Sequence, residues 1–425
     1  MTSSLPKCPQ SLDEVDITSP DAFVQHGYPY PHWAFLREHA PVYWYERPGI
    51  EPFWAITKYD DIQRISRDPK TFSNKTDIAI RADPGEINQT SSTQTNHLLQ
   101  MDPPEHAEYR SLVNRRFTPR GLSILEDRID EISADIVDRV AAELVNDISR
   151  RGQAEFVSDV SARMPLTAIC ELLGVPRDRW EDIHVWTNET IGASDPEFQK
   201  GRTRRETARA GAQALFVYFM QLAEQKRRQP ADDLMTTLVQ AELHGEPLNA
   251  IDLLSYAFIL ILGGNETTRN ATSGGLLALI ENPDQMQLLR SDRSLIDSAV
   301  EEILRWTSPI IHFGRLVTED VEIAEQSIAA GEKVVMWYPS GNRDEDIFDE
   351  PDQFLVGRDP NEHIAFGGFG EHFCLGANLA RLELRSIFNH VLDRLDDIQL
   401  DGDVERLRSG FVGGIKHLPI SFSAV

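Results

Sequence analysis

The longest regular pattern in the chain covers residues 249–282 and reads as one helix of about 32 residues, about 48 Å at 1.5 Å per residue. Asn249 stands where a cap belongs, Asp252 holds the reciprocal capping-box position, and Pro283 closes the run. Its first half, SYAFILIL, is apolar on every side, which predicts a buried core helix rather than a surface one. The pattern then breaks into GGNETTRN. Two consecutive glycines and a polar run inside a buried helix violate helix preference, and such violations mark function.

A second irregularity lies at residues 363–381, HIAFGGFGEHFCLGANLAR. Gly367, Gly368 and Gly370 make a flexible loop carrying His372, Cys374 and Gly376. Leu384, Ile387, Val391 and Leu395 then recur at helical spacing.

Elsewhere the patterning is mainly α with a small β-rich region. Residues 1–30 are polar and proline-rich, and predict an extended segment. A short helix is expected at 32–41, aromatic strands at 42–46 and 53–57 joined through Pro48 and Gly49, and a helix at 59–68. Residues 74–96 read as a long polar loop. Asp102 before Pro103 and Pro104 predicts a helix start, and places His106 and Arg110 on one face. Further helices are expected at 125–145, 163–174, 179–191, 206–225 and 300–306, a strand at 333–338, and an edge strand at the terminal LPISF. Glu302 and Arg305, three apart, share a helix face. There is no internal repeat.

Composition narrows the class. The chain has 425 residues, and 68 acidic against 42 basic side chains give a net charge of −26. That balance argues against nucleic acid or an anionic membrane as partner. A generic ~150 residues per domain would suggest two or three domains. Cys8, Cys170 and Cys374 lie too far apart for a disulfide framework, and Cys170 reads as packing. The N-terminus lacks the apolar core of a signal peptide. The longest apolar run, residues 256–262, falls far short of the ~20 residues of a membrane span. A soluble cytoplasmic protein is expected.

Cys374 carries the chemistry. It precedes a helix N-terminus, where free N–H groups and the dipole favour a thiolate. A thiolate on such a loop serves as nucleophile, structural metal ligand or axial haem ligand. No second cysteine is near for zinc. A nucleophile would need a base, which His372 offers. The order F-G-x-x-G-x-H-x-C-x-G followed by A-N-L-A-R resembles the haem-binding loop of cytochromes P450. The loop departs from the common pattern by one residue, because Phe366 lies eight before Cys374. That longer loop is similar to bacterial members that oxidise sterols and methyl-branched lipids. It leaves open whether Phe366 or Phe369 packs beside the sulfur.

The resemblance implies one cytochrome P450 domain over residues 1–425, with haem b between the long helix and the cysteine loop. It makes Cys374 the iron ligand and assigns Gly263, Phe366, Gly367, Phe369 and Gly376 to the haem surface. His106, Arg110, Arg315 and His372 become propionate donors. Gly263 and Gly264 would lay the helix against the haem and open a kink. Glu266 and Thr267 become the acid–alcohol pair that delivers protons to dioxygen, with Asn265 and Thr268 as neighbours along the groove. Glu302, Arg305 and Arg358 form a structural network. Residues 74–96 lid the pocket, and helices 179–191 and 206–225 roof it. Trp186, Ile191, Phe216, Ile310, Ile311, Phe313 and the turn at 411–413 are candidates to face substrate.

The implied activity is insertion of one oxygen atom of O₂ into a C–H bond of an apolar aliphatic substrate, a sterol or methyl-branched lipid. Electrons would come from a separate ferredoxin and ferredoxin reductase. Arg115, Arg116 and Arg120 offer an acidic ferredoxin a dock. A monomer is expected. A terpenoid hydroxylase is the alternative within the family. A peroxide-driven haem enzyme, or a haem sensor without turnover, would not need Glu266 and Thr267.

Overall fold

The computed structural model describes residues 7–81, 97–142 and 151–424. The long helix spans Ala250–Glu281 without interruption. Asn249 caps it, its side-chain oxygen accepting the Asp252 N–H at 2.9 Å. Asp252 does not complete a capping box. Its carboxylate takes the Tyr109 hydroxyl and the Asn249 amide instead, tying the helix start to the segment that carries His106. Around the long helix pack Arg163–Leu173, Arg204–Arg228, Ile296–Thr307 and Ala377–Arg394.

The two glycines of GGNETTRN do different things. A methyl group on Gly264 would sit 2.9 Å from Ile169, so its absence lets helix Arg163–Leu173 pack close. A methyl group on Gly263 would meet nothing within 4 Å. The expected kink does not interrupt the helix.

The main sheet has five strands in the order Val42–Tyr45, Phe53–Ile56, Lys333–Trp337, His312–Val317, Phe72–Ser73. The two aromatic strands pair antiparallel, and Lys333–Trp337 runs parallel to Phe53–Ile56. Residues 78–80 lie along this sheet. The Ile78 carbonyl takes the Gly314 N–H at 2.7 Å, and the Ile80 N–H meets His312 at 3.1 Å. Residues 82–96, most of the expected lid, fall outside the described residues, as do 143–150 at the end of the helix expected over 125–145, which begins at Pro119.

Three expectations are corrected. Residues 1–30 are not wholly extended, for Pro20–His26 is a helix. Ser19 caps it by accepting the Ala22 N–H, with Pro20 in the first turn and Gly27 at φ +77° as its exit. Asp102 caps nothing, and the helix after it begins only at Glu105. Its carboxylate takes the Ser73 hydroxyl and, at 2.7 Å, the Asn74 N–H, because the edge strand offers donors closer to hand. The terminal strand, Pro419–Ala424, is central rather than an edge, lying between Leu395–Leu400 and Gly152–Glu155. Proline is tolerated there because it is the strand's first residue.

Glu302 has no exposed surface and anchors a buried cluster. It accepts from Arg305 at 2.7 and 2.8 Å, from Arg358 at 3.1 Å, from Asn361 at 3.1 Å and from the Leu355 N–H at 2.9 Å. Arg305 also donates to the Asn342 carbonyl, and the Asn342 side chain receives the Ile364 N–H, two residues before Phe366. The cluster therefore braces the entry to the cysteine loop.

Candidate active site

The cysteine loop is folded back on itself and pressed onto helix Tyr59–Arg67. The Cys374 N–H donates to the Phe366 carbonyl at 2.9 Å, and the Phe373 N–H to Gly370 at 2.9 Å. Gly367 has φ +100°, a conformation that demands glycine. A methyl group on Gly370 would overlap the Ser66 carbonyl, and one on Gly368 the Ser66 side chain. Phe366 is the interior ring of the loop, buried beneath the Arg381 guanidinium at 4.6 Å. Phe369 is 42 % exposed, with φ +59°, and stacks on Phe373 from outside. Arg381 is held in turn by Glu301 at 2.6 and 2.7 Å, and Glu301 also meets His363 at 3.0 Å. Burial raises the Glu301 carboxyl, yet these two partners overcome it and hold the group at about 2.

The helix end does not by itself ionise Cys374. Burial pushes the thiol up, against the opposing Gly376 N–H and the charges of Arg110 and Arg381. A cation on the sulfur would reverse the balance.

Beside the loop, four donors gather. His106 and His372 lie ring to ring at 4.0 Å. Both are neutral. Burial, then neighbouring Arg charges, pushes His106 down to about 4 and His372 to about 2. His372 donates to the Met101 carbonyl at 3.0 Å, whereas neither ring nitrogen of His106 has a partner among the described residues. Arg315 is 5 % exposed and donates to the Gly314 carbonyl at 2.8 Å, with no ion pair among the described residues. Arg110 makes a long contact with the Glu371 carbonyl at 3.4 Å.

On the long helix, Gly263 and Thr267 are one turn apart on the open face, and the Thr267 hydroxyl donates to the Gly263 carbonyl at 2.9 Å. Glu266 turns the other way. It pairs with Arg269, which donates to Asn188 at 2.8 Å, and Asn188 meets His184 at 3.2 Å. Burial raises the Glu266 carboxyl, with Arg269 opposing, and its Oε1 has no partner among the described residues. Asn265 does not line the groove, because its amide donates to Thr187 at 3.1 Å. Sequence reading missed Arg269, although its place three residues after Glu266 put both on one face. It also missed Glu383, a fully buried carboxyl near Thr268 that burial pushes well up.

Of the residues expected to face substrate, Ile310, Phe313 and the 411–413 turn come together. Ile310 bridges Val412, and the Phe313 ring lies 5.7 Å from Phe411. Ile311 belongs instead to a buried cluster with Trp33 and Trp337. Trp186 packs on Tyr218, and Phe216 on Phe258.

The cytochrome P450 family model matches residues 196–410. A steroid C26-monooxygenase of Rhodococcus jostii is 36 % identical over 97 % of this chain and 86 % of its own. A methyl-branched lipid omega-hydroxylase of Mycobacterium tuberculosis is 37 % identical over 97 % of this chain and 94 % of its own. A Mycobacterium marinum cytochrome P450 solved in complex with pseudoionone superposes with TM-score 0.88 at 34 % identity, covering 97 % of this chain and all of that one. The chain belongs to the cytochrome P450 family. This cytochrome P450 is a monooxygenase that uses haem held on a cysteine thiolate.

The residues present fit that group. A P450 haem brings one cation for a thiolate and two carboxylates at its edge. Here a half-buried thiol with a raised pKa lies near a buried Arg315 without a close ion pair and a buried His106 without a hydrogen bond among the described residues. Unpaired buried groups of this kind are costly, and a carboxylate satisfies both. Among the described residues, no helix is long and apolar enough to cross a membrane.

Proposed function

We propose that this P450 hydroxylates the aliphatic side chain of a sterol or methyl-branched lipid, with Cys374 as the iron ligand and Thr267 and Glu266 as its proton-handling pair. The observation that carries the site assignment is the open face formed by Gly263 and Thr267, backed directly by a buried carboxyl with a free oxygen. Haem on a cysteine thiolate supplies the activation of O₂ that places one oxygen atom in a C–H bond and releases the other as water. His106, Arg110, Arg315 and His372 bind the two carboxylates at the haem edge and fix its orientation. Gly263, Phe366, Gly367 and Gly376 supply surface close enough for a flat group, while Phe369 faces outward. When the Arg269 pair opens, burial favours the protonated form of Glu266, which then passes a proton to the Thr267 hydroxyl. Ile310, Phe313 and Phe411 present an apolar wall to the substrate.

The enzyme works as one domain over residues 1–425, as a cytoplasmic monomer, and draws electrons from a separate ferredoxin and its reductase. Arg115 and Arg120, both exposed, with Arg116 beside them, suit an acidic partner.

The substrate class is tested by titrating the ferric protein and following the spin-state change in absorbance. Sterols and methyl-branched acids should shift it at lower concentration than linear acids. A shift confined to monoterpenes would replace the lipid reading by the terpenoid one, which the pseudoionone complex of the M. marinum relative favours. The proton assignment is tested with Thr267→Ala, driven by ferredoxin and reductase. Product formed per electron pair should fall by about a hundredfold. Full coupling in that variant would remove Thr267 and Glu266 from the reaction.

A further inference from the structure

A cavity of about 700 Å³ opens one to two turns further along the long helix, on the side of Thr267. Asn270 and Gly274 line it, three and seven residues on, so the row continues. None of the residues assigned above to the haem or to proton handling takes part in its wall. The turn at 411–414 stands between, with the Gly413 N–H bonded to the Pro309 carbonyl at 2.8 Å.

Its wall is mixed, with Leu277, Tyr28, Tyr30 and Trp306 as the apolar and aromatic part and the carboxylates Glu281 and Asp352 among the polar part. The tyrosine hydroxyls are already committed, Tyr28 to the Ser308 carbonyl at 2.9 Å and Tyr30 to the Trp306 carbonyl at 3.3 Å. Two polar groups are not. Asn270 is 2 % exposed, and neither its amide oxygen nor its nitrogen has a hydrogen bond among the described residues. The Arg406 guanidinium makes no hydrogen bond or close ion pair among the described residues, and Glu281, in the same wall, acts on it through charge alone. The two lie on neighbouring elements, since Arg406 pairs with Ile415, and Asn270 packs against Gly414. The other guanidiniums at the rim are taken, Arg343 by Asp352 at 2.8 Å and Arg37 by Glu345 at 2.9 Å.

A partly apolar cleft with a few convergent unsatisfied polar groups is the pattern of a small-molecule site. A guanidinium whose N–H groups are not hydrogen-bonded selects a carboxylate, which it grips with two parallel hydrogen bonds. A buried amide with all its positions open costs stability until something fills them. We propose that this cavity is a second ligand site, separate from the haem pocket, which binds an amphipathic carboxylate with its acid group on Arg406 and a further polar contact on Asn270.

The test uses the full haem-loaded protein with a bulky azole saturating the iron, its occupancy read from the absorbance band. Radiolabelled dodecanoate is then added in equilibrium dialysis. One equivalent should still bind, and dodecanol should bind about tenfold more weakly. Arg406→Gln and Asn270→Ala should each weaken dodecanoate by about tenfold or more while leaving the azole spectrum unchanged. Displacement of all dodecanoate by the azole would return the binding to the haem pocket and overturn the proposal. So would a complete lack of binding, which would leave a crevice holding only water. Equal binding of dodecanol would overturn the carboxylate assignment on the unaltered protein, whatever the variants do.

Discussion

Cys374→Ser should abolish monooxygenase turnover and the absorbance signature of the carbon monoxide adduct of a thiolate-bound haem. The expected loss is complete because no other described residue can take the sulfur's place. Cys170 is buried in the core, and Cys8 stands at the surface near the N-terminus. The fold should survive. The Cys374 N–H to Phe366 carbonyl bond is made by the backbone, and serine keeps it. Haem should still enter, because His106, Arg110, Arg315 and His372, the proposed propionate donors, do not depend on the sulfur. The measurement is therefore sharp: a folded, haem-containing variant whose reduced carbon monoxide spectrum lacks the thiolate band. An unchanged band would sink the ligand assignment.

Glu302→Gln should cost about 3–5 kcal/mol of stability, since it leaves two buried guanidiniums without their shared counter-charge. Against the total stability of about 5–15 kcal/mol for a typical folded chain, that is a large fraction. The damage should appear first at the cysteine loop, because Arg305 and Asn342 connect the cluster to Ile364. Denaturant unfolding of the haem-loaded protein measures it, and haem release should begin at lower denaturant than in the unaltered protein. A loss under about 1 kcal/mol would show that the arginines find other partners and that the carboxylate is replaceable.

Much of this was legible before any coordinates. The long helix was read to within a residue at either end because its cap, its apolar run and its closing proline all agree. The cysteine loop was equally plain, since glycine spacing is a backbone requirement written directly in residue type. What escaped was whatever depends on three-dimensional neighbours. Asp102 looked like a cap because its local neighbours suggest one, but the donors it uses come from Ser73 and Asn74. The terminal strand looked like an edge because nothing local reveals that Gly152–Glu155 comes to lie beside it. Glu266 was found, but its partner Arg269 was not, because a buried ion pair shows only when both environments are known. The thiolate expected at Cys374 is the form this family holds on haem, but the burial that works against it was not visible in the sequence around the sulfur. Pro20–His26 was a different failure. Its Ser-Pro-Asp start was available, and polar composition concealed it.

The central place of Pro419–Ala424 has a consequence for how the molecule is made. Gly152–Glu155 emerges from the ribosome well before Pro419–Ala424, its only strand partner in the sheet among the described residues. At ordinary elongation rates it waits some tens of seconds as an open edge. Among the described residues, the Leu395–Leu400 strand likewise has no sheet neighbour until the same segment arrives. This corner of the protein is thus closed only once Pro419–Ala424 has been made. A chain stalled or cut before Pro419 would carry two unpaired edges at once, which is the feature that invites strand-to-strand association between copies.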